Sequence, residues 1–258
     1  MNLEQKKRLP TQKYMNKSNY MLLHFRKHGL SRGDRVGYYI SNRKEALFAM
    51  LAAISIGATW GGPLPTYGCR AFLAQLRDLV LHLNLKAGDV AYAHAPVGWA
   101  VWDYMITNLA IGVKLFLFDG GLDCCKEGYT VWDNISANNI SFAFLSPYYL
   151  DYFEKENIIP RPGTNLDCLK IIALTGSPIR PQNYKFLLNN VKKDLFILSL
   201  YGILNLSGNS VCGKRGEIIV TKPNPAFPIC LWKDDDNSKL NEEYFSKYKG
   251  VWCQNDEG

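Results

Sequence analysis

Apolar positions along this chain follow two spacings, one helical and one extended, and their succession predicts most of its elements. Residues 12–28 set Tyr14, Met21, Leu22 and Phe25 on one side of a helix closed by Gly29. RVGYYI (35–40) reads as a strand, RKEALFAMLAAISIG (43–57) as a helix stopped by Gly57, and TWGGPLP (59–65) as a short strand and turn. From residue 88 the plan repeats. VAYAHA (90–95) is a strand, GWAVWDYMITNLAIG (98–112) a helix and VKLFLF (113–118) a strand. Each copy opens on Gly-Asp and closes on Ile-Gly, and one offset of 55 residues relates Gly33 to Gly88 and Gly57 to Gly112. Two crossovers of one build predict parallel β-α-β units over residues 33–60 and 88–115.

The second half continues in kind. TVWDNISANN (130–139) reads as a helix and ISFAFL (140–145) as a strand, and PYYLDYFEKEN (147–157) reads as a helix with Pro147 in its first turn. LKIIAL (169–174) has the composition of a strand buried on both faces. Thr175-Gly176-Ser177-Pro178 breaks it, PQNYKFLL resumes helical spacing, and DLFILSLYG (194–202) reads as another buried strand. GKRGEIIVTKP leads from a turn into a last strand. The fold class this predicts is α/β, with repeated β-α-β units forming mostly parallel sheets and helices on both faces. Strand, glycine turn and helix in that order make Thr175–Pro178 a ligand-facing corner, where Gly176 allows close backbone approach and Ser177 offers a hydroxyl.

Composition narrows the classes. At 258 residues with 47% hydrophobic and 21% charged positions, the chain is that of a globular protein, without an apolar run of the ~20 residues a membrane span needs. Its N-terminus lacks the apolar core of a secretory signal, which makes the expected location cytoplasmic. The net charge of +7 sits wholly in residues 1–35, with nine Lys/Arg against Glu4 and Asp34; the remainder balances at 21 basic and 21 acidic. A neutral body argues against nucleic acid as a partner. Seven cysteines without a CxxC pair suit reduced thiols. His24 and His28 could share a helix face as metal ligands, but no third ligand is near in sequence. Gly208, Gly213 and Lys214 are spaced like a phosphate loop, yet Arg215 stands where the hydroxyl belongs and a strand follows where a helix is needed. No GxGxxG, GxSxG or metal-ligand set is present, and no metal site is expected.

In order and spacing, GDRVGYYISNRKEALFAMLAAISIGATW, LNLKAGDVAYAHAPVGWAVWDYMITNLAIGVKLFLFDGG, LKIIALTGSPIRPQNYKFL and the stretch from GEIIVTKPNP to VWCQND resemble the adenylate-forming, AMP-binding ligases, most closely those of the acetoacetyl-CoA synthetase kind. The resemblance implies activation of acetoacetate with ATP to an acyl-adenylate and transfer to coenzyme A. It implies that Thr175, Gly176, Ser177 and Pro178 lie against adenine, with Tyr201 and Gly202 beside the nucleotide. It also implies that Asp256 accepts from the ribose hydroxyls and that Gly98 and Trp99 border the acyl pocket. The domains expected on this basis are a basic leader and helix (1–32), an AMP-binding-like α/β domain (33–202) and a β-rich distal part of it (203–258).

Three departures qualify the expectation. The family's Ser/Thr/Gly-rich loop ending in Lys has no counterpart, the chain reading as internally deleted near 66–72. Leu204-Asn205 replaces a Thr-acidic pair that would meet phosphate and magnesium, so magnesium is a poor expectation. The sequence stops two residues after Asp256, where the family continues into a lid domain with a lysine. The chain is therefore expected to have little or no ligase activity and no catalytic residue of its own. A non-catalytic nucleotide- or acyl-binding protein, an interaction protein and a splice or assembly product without function stay open as alternatives.

Overall fold

The computed structural model describes residues 11–61, 69–121, 129–200, 217–222, 227, 231 and 234–257. Helix α1 spans Thr11–Lys27. Strand β1 (Arg35–Gly37), helix α2 (Lys44–Ile56) and strand β2 (Thr59–Gly61) follow, with β1 and β2 parallel. Next come α3 (Cys69–Arg77), β3 (Val90–Ala93), α4 (Ala100–Thr107) and β4 (Lys114–Phe116). The later elements are α5 (Val131–Ala137), β5 (Phe142–Leu145), α6 (Pro147–Lys155), β6 (Ile171–Leu174), α7 (Pro181–Phe186), β7 (Phe196–Ser199), β8 (Glu217–Val220), α8 (Ser238–Phe245) and β9 (Trp252–Glu257). Two compact units result: one holds Met1–Leu64, Ala95–Ile106 and Leu117–Gly121, the other Pro65–His94, Thr107–Phe116 and Leu122–Gly258.

The repeat read from the sequence is a repeat of hydrogen bonds. Gly33 N donates to Gly57 O (3.0 Å), and Gly88 N donates to Gly112 O (3.3 Å). Thr59 N bonds Asp34 O (2.7 Å) just as Lys114 N bonds Asp89 O (2.9 Å). Asp34 Oδ2 accepts from Ser31 N and Asp89 Oδ2 from Lys86 N, so both carboxylates tie the turn that opens their unit. Gly57 (φ 82°) and Gly112 (φ 76°) end their helices in the left-handed region, which glycine enters without Cβ strain. The register agrees too, with Arg35 beside Thr59 and Val90 beside Lys114.

In the second unit, five parallel strands run in the order β4-β3-β5-β6-β7. All of Phe142–Leu145 and Ile171–Leu174 are buried, as expected of central strands. Trp132, fully buried on α5, packs edge-to-face on Phe153 of α6 and donates its Nε1–H to Ile158 O at 2.9 Å. The sequence reading of DLFILSLYG as a buried strand needs correction. Among the described residues β7 pairs with β6 alone, and Phe196 is 54% exposed. RVGYYI is also shorter than expected, ending at Gly37, since among the described residues β1 has a single three-residue partner and Tyr38 turns away toward Val97.

The antiparallel pair β8–β9 is held by an aromatic stack. Trp252 lies between Tyr244 (4.0 Å) and Phe227 (4.8 Å), both nearly parallel to it. Buried Asp234 accepts from the Lys239 and Leu240 amides and so satisfies the start of α8. No helix among the described residues is long and apolar enough to cross a membrane.

Asp89 carries the testable load in the repeat. Burial alone would raise its carboxyl, but hydrogen bonds from Lys170, the Lys86 amide and Ser141 outweigh this and lower it. A lowered carboxyl stabilises the fold above the ordinary carboxylate range and loses that contribution as pH falls through it. Asp89→Asn should therefore cost about 1–3 kcal/mol in urea unfolding at neutral pH, with the deficit shrinking below about pH 4. Exposed Asp34, changed the same way, should lose less.

Candidate functional site

Extending the strand registers by one residue shows what the second unit presents at the carboxyl ends of its strands. His94 follows β3, Ser146 follows β5, Thr175 follows β6 and Leu200 follows β7. The ladders carry on there: His94 N bonds Phe144 O (3.4 Å), Thr175 N bonds Leu145 O (3.4 Å) and Leu200 N bonds Leu174 O (2.9 Å). This edge is where open α/β sheets receive ligands.

Thr175–Pro178 sits on that edge. Thr175 is half-buried and Gly176, Ser177 and Pro178 are exposed, so the turn faces outward. Gly176 has φ 93°, and among the described residues Ser146 Oγ, at 3.9 Å, is the one neighbour a side chain there would meet. A flat group can thus lie on this backbone, which is what a nucleotide base requires. The far end of the turn is pinned: Asp151 Oδ1 takes Arg180 Nη2 at 2.5 Å and Asn183 Nδ2 at 2.7 Å, while Arg180 N donates to Asn183 Oδ1. The Arg180 hydrogen bond holds the Asp151 carboxyl below its ordinary value. Tyr201 and Gly202 lie outside the described residues, as do Leu204 and Asn205. Asp256 belongs to β9, anchored through Trp252 and Cys253, but its side chain is outside the described set.

Gly98 and Trp99 belong to the first unit. Trp99 is 53% exposed, which rules out plain core packing for the indole. Its carbonyl accepts from Trp102 N and Asp103 N at the start of α4. Gly98 is buried at φ 78°, and a Cβ there would fall within the van der Waals radius of Tyr38 Oη. Tyr38 stacks on Trp60 (4.6 Å, 13°) and donates to Val97 O at 3.3 Å. Asp103, one turn into α4, is pushed by burial up to about 6.

Two groups escaped the sequence reading. Tyr38 was counted as a strand residue, though an aromatic facing a glycine is legible only in three dimensions. His94 falls within the strand reading VAYAHA (90–95). In the fold its Nε2 lies 3.1 Å from Tyr149 Oη on α6, with the rings edge-to-face at 4.9 Å. A polar residue closing a parallel strand was the available signal. Among the described residues no group of three His, Cys, Asp or Glu could hold a metal ion.

The chain is similar to acetoacetyl-CoA synthetases and has the fold of an adenylate-forming ligase. The acetoacetyl-CoA synthetase of Gallus gallus is 27% identical over 216 residues, covering 71% of this chain and 32% of that one. The chain thus spans about a third of the length of the curated relatives it matches. The solved acetoacetyl-CoA synthetase from Streptomyces lividans superposes with a TM-score of 0.78 at 18% identity, over 95% of this chain and 59% of that one. The N-terminal subdomain of Klebsiella oxytoca NpsA, solved in complex with 3-hydroxybenzoyl-AMSN, gives 0.71 at 14% identity over 98% of this chain and 91% of that subdomain. No family model matches the sequence.

Two outcomes test the Gly98–Asp103 geometry. Gly98→Ala should cost about 1–3 kcal/mol by urea unfolding, from left-handed strain and displacement of Tyr38. Tyr38→Ala should then cost much less in that background than alone, a coupling seen in a double-mutant cycle. Because the Asp103 carboxyl is raised, the folded chain keeps a proton that the unfolded chain releases. Stability should fall as pH rises from about 4, the unfolded value, to about 6. Asp103→Asn should flatten that fall and unfold at higher urea than wild type at pH 7.5.

Proposed function

We propose that this chain binds an adenine nucleotide at Thr175, Gly176, Ser177 and Pro178, with Tyr201, Gly202 and Asp256 contributing, and a short carboxylic acid near Gly98 and Trp99. In this reading it keeps ligand-binding elements of an acid–thiol ligase, with ATP or AMP and coenzyme A as the implied cofactors, but does not activate acetoacetate at an appreciable rate. The observation that carries the binding reading is the open turn at Gly176. It closes a fully buried central strand, on a fold whose Klebsiella counterpart was solved as an N-terminal subdomain with 3-hydroxybenzoyl-AMSN.

Weak catalysis follows from electrostatics. Adenylation builds charge on pyrophosphate, and one positioned donor is worth about 2.7–4 kcal/mol in such a barrier. Between β2 and α3 the chain offers residues 62–68 (GPLPTYG), with one hydroxyl beside the Tyr67 phenol and no lysine. Leu204-Asn205 provides no acidic partner for a hard cation. A protein that holds the adenylate portion without gripping the outer phosphates should bind AMP and ATP alike.

Thermal unfolding checks this directly. AMP and ATP should raise the midpoint equally and modestly, and Gly176→Val, folded by circular dichroism, should respond to neither. Acetoacetate-dependent exchange of label between pyrophosphate and ATP should not exceed a heat-killed control. Exchange above that control, lost on Asp256→Ala, would overturn the low-activity reading.

A further inference from the structure

Helix α1 has two distinct sides. Ser18, Met21, Leu22 and Phe25, three and four residues apart, are half-buried, and α1 packs on α2. On the opposite side Tyr20 is 76% and Leu23 64% exposed. With exposed Asn16 and Lys27 they form one stripe along the helix, flanked by exposed Lys17 and Arg26.

The surrounding segment is basic throughout. From Gln5 to Gly33 the chain holds no Asp or Glu, while Lys6, Lys7, Arg8, Lys13, Lys17, Arg26, Lys27 and Arg32 carry eight positive charges. Among the described residues none of Lys17, Arg26, Lys27 and Arg32 forms an ion pair. Cations left uncompensated by the fold act on an anionic partner over about 8 Å at physiological salt. They also repel a metal dication, which argues against His24 and His28 as ligands although their ring centroids are 4.5 Å apart.

The apolar members of the stripe separate the anionic partners. A nucleic acid rewards cations and gives nothing for leaving Leu23 in water. An anionic bilayer rewards both kinds of side chain, because headgroups attract the cations while leucine and tyrosine settle at the headgroup–acyl boundary.

We propose that α1 is a reversible docking surface for an anionic lipid bilayer. The helix lies along the headgroups, with Tyr20 and Leu23 dipping between them and Lys17, Arg26 and Lys27 against lipid phosphate and carboxylate. Each Lys or Arg at such a surface strengthens binding about fivefold.

Co-sedimentation of the full chain with vesicles tests this. The chain should pellet with mixed phosphatidylserine–phosphatidylcholine vesicles and not with phosphatidylcholine alone, and added salt should weaken the binding. Lys17→Gln, Arg26→Gln and Lys27→Gln together should lower affinity about a hundredfold. Tyr20→Ser with Leu23→Ser should lower it about tenfold at unchanged charge. All five positions are exposed, and circular dichroism checks that each variant folds; either variant set suffices if the other does not. Absent binding, equal binding to both vesicle types, or affinity unchanged in the folded variants overturns the assignment. Single-stranded RNA bound more tightly than the mixed vesicles, with the Tyr20–Leu23 variant indifferent, overturns it in favour of a nucleic-acid surface.

Discussion

The pairing of β3 with β5 is the constraint on which the rest of the second unit depends. Ala91, Tyr92 and Ala93 lie against Phe142, Ala143 and Phe144, and this register alone fixes which residue follows at the ligand edge. It places His94 within reach of the helix that β5 feeds, while the β5–β6 register in turn brings Thr175 N to Leu145 O. A slip of one residue would exchange Phe142 and Phe144 with Ala143 and Leu145 between two covered faces and spoil the packing of both. Burial of those two rings, in edge contact at 4.9 Å, holds the register.

The two β-α-β units show how the same grammar yields different outcomes. Each closes with a glycine-to-glycine hydrogen bond and an aspartate bracing its opening turn. The first stays a two-stranded sheet among the described residues, with Tyr38 leaving its strand to stack on Trp60. The second is taken up into five strands, where Asp89 gains Lys170 and Ser141 as partners that Asp34 lacks among its own contacts. Local sequence sets the unit, and neighbouring strands decide how deeply it is buried.

Most of the fold was legible because its signals are local. Gly33, Gly57, Gly88 and Gly112 mark turns by their own backbone needs, and the buried run of β6 declares itself by composition. Thr175–Pro178 was legible for the same reason: strand, glycine and helix are adjacent in the chain. What escaped was non-local. Nothing near Tyr38 in sequence announces Gly98, 60 residues on, and nothing near His94 announces Tyr149, 55 residues on. The exposure of Phe196 was hidden as well, since edge and central strands of similar composition differ only in how many neighbours they find.

The topology also has a kinetic side. β1 meets β2 across 24 residues, from Arg35 to Thr59, and β3 meets β4 across the same span, from Val90 to Lys114. Ala91 must find Phe142 across 51. Closing longer loops costs more chain entropy, and parallel pairings far apart in sequence slow folding. The crossovers can form early as local units, leaving the β3–β5 seam, which joins the second of them to the later strands, to form late. Until it joins, the faces of Ala91–Ala93 and Phe142–Phe144 are adhesive surfaces open to other chains. The crevice that would receive a ligand is made by that same step, so a ligand bound there would favour the joined state over the open one.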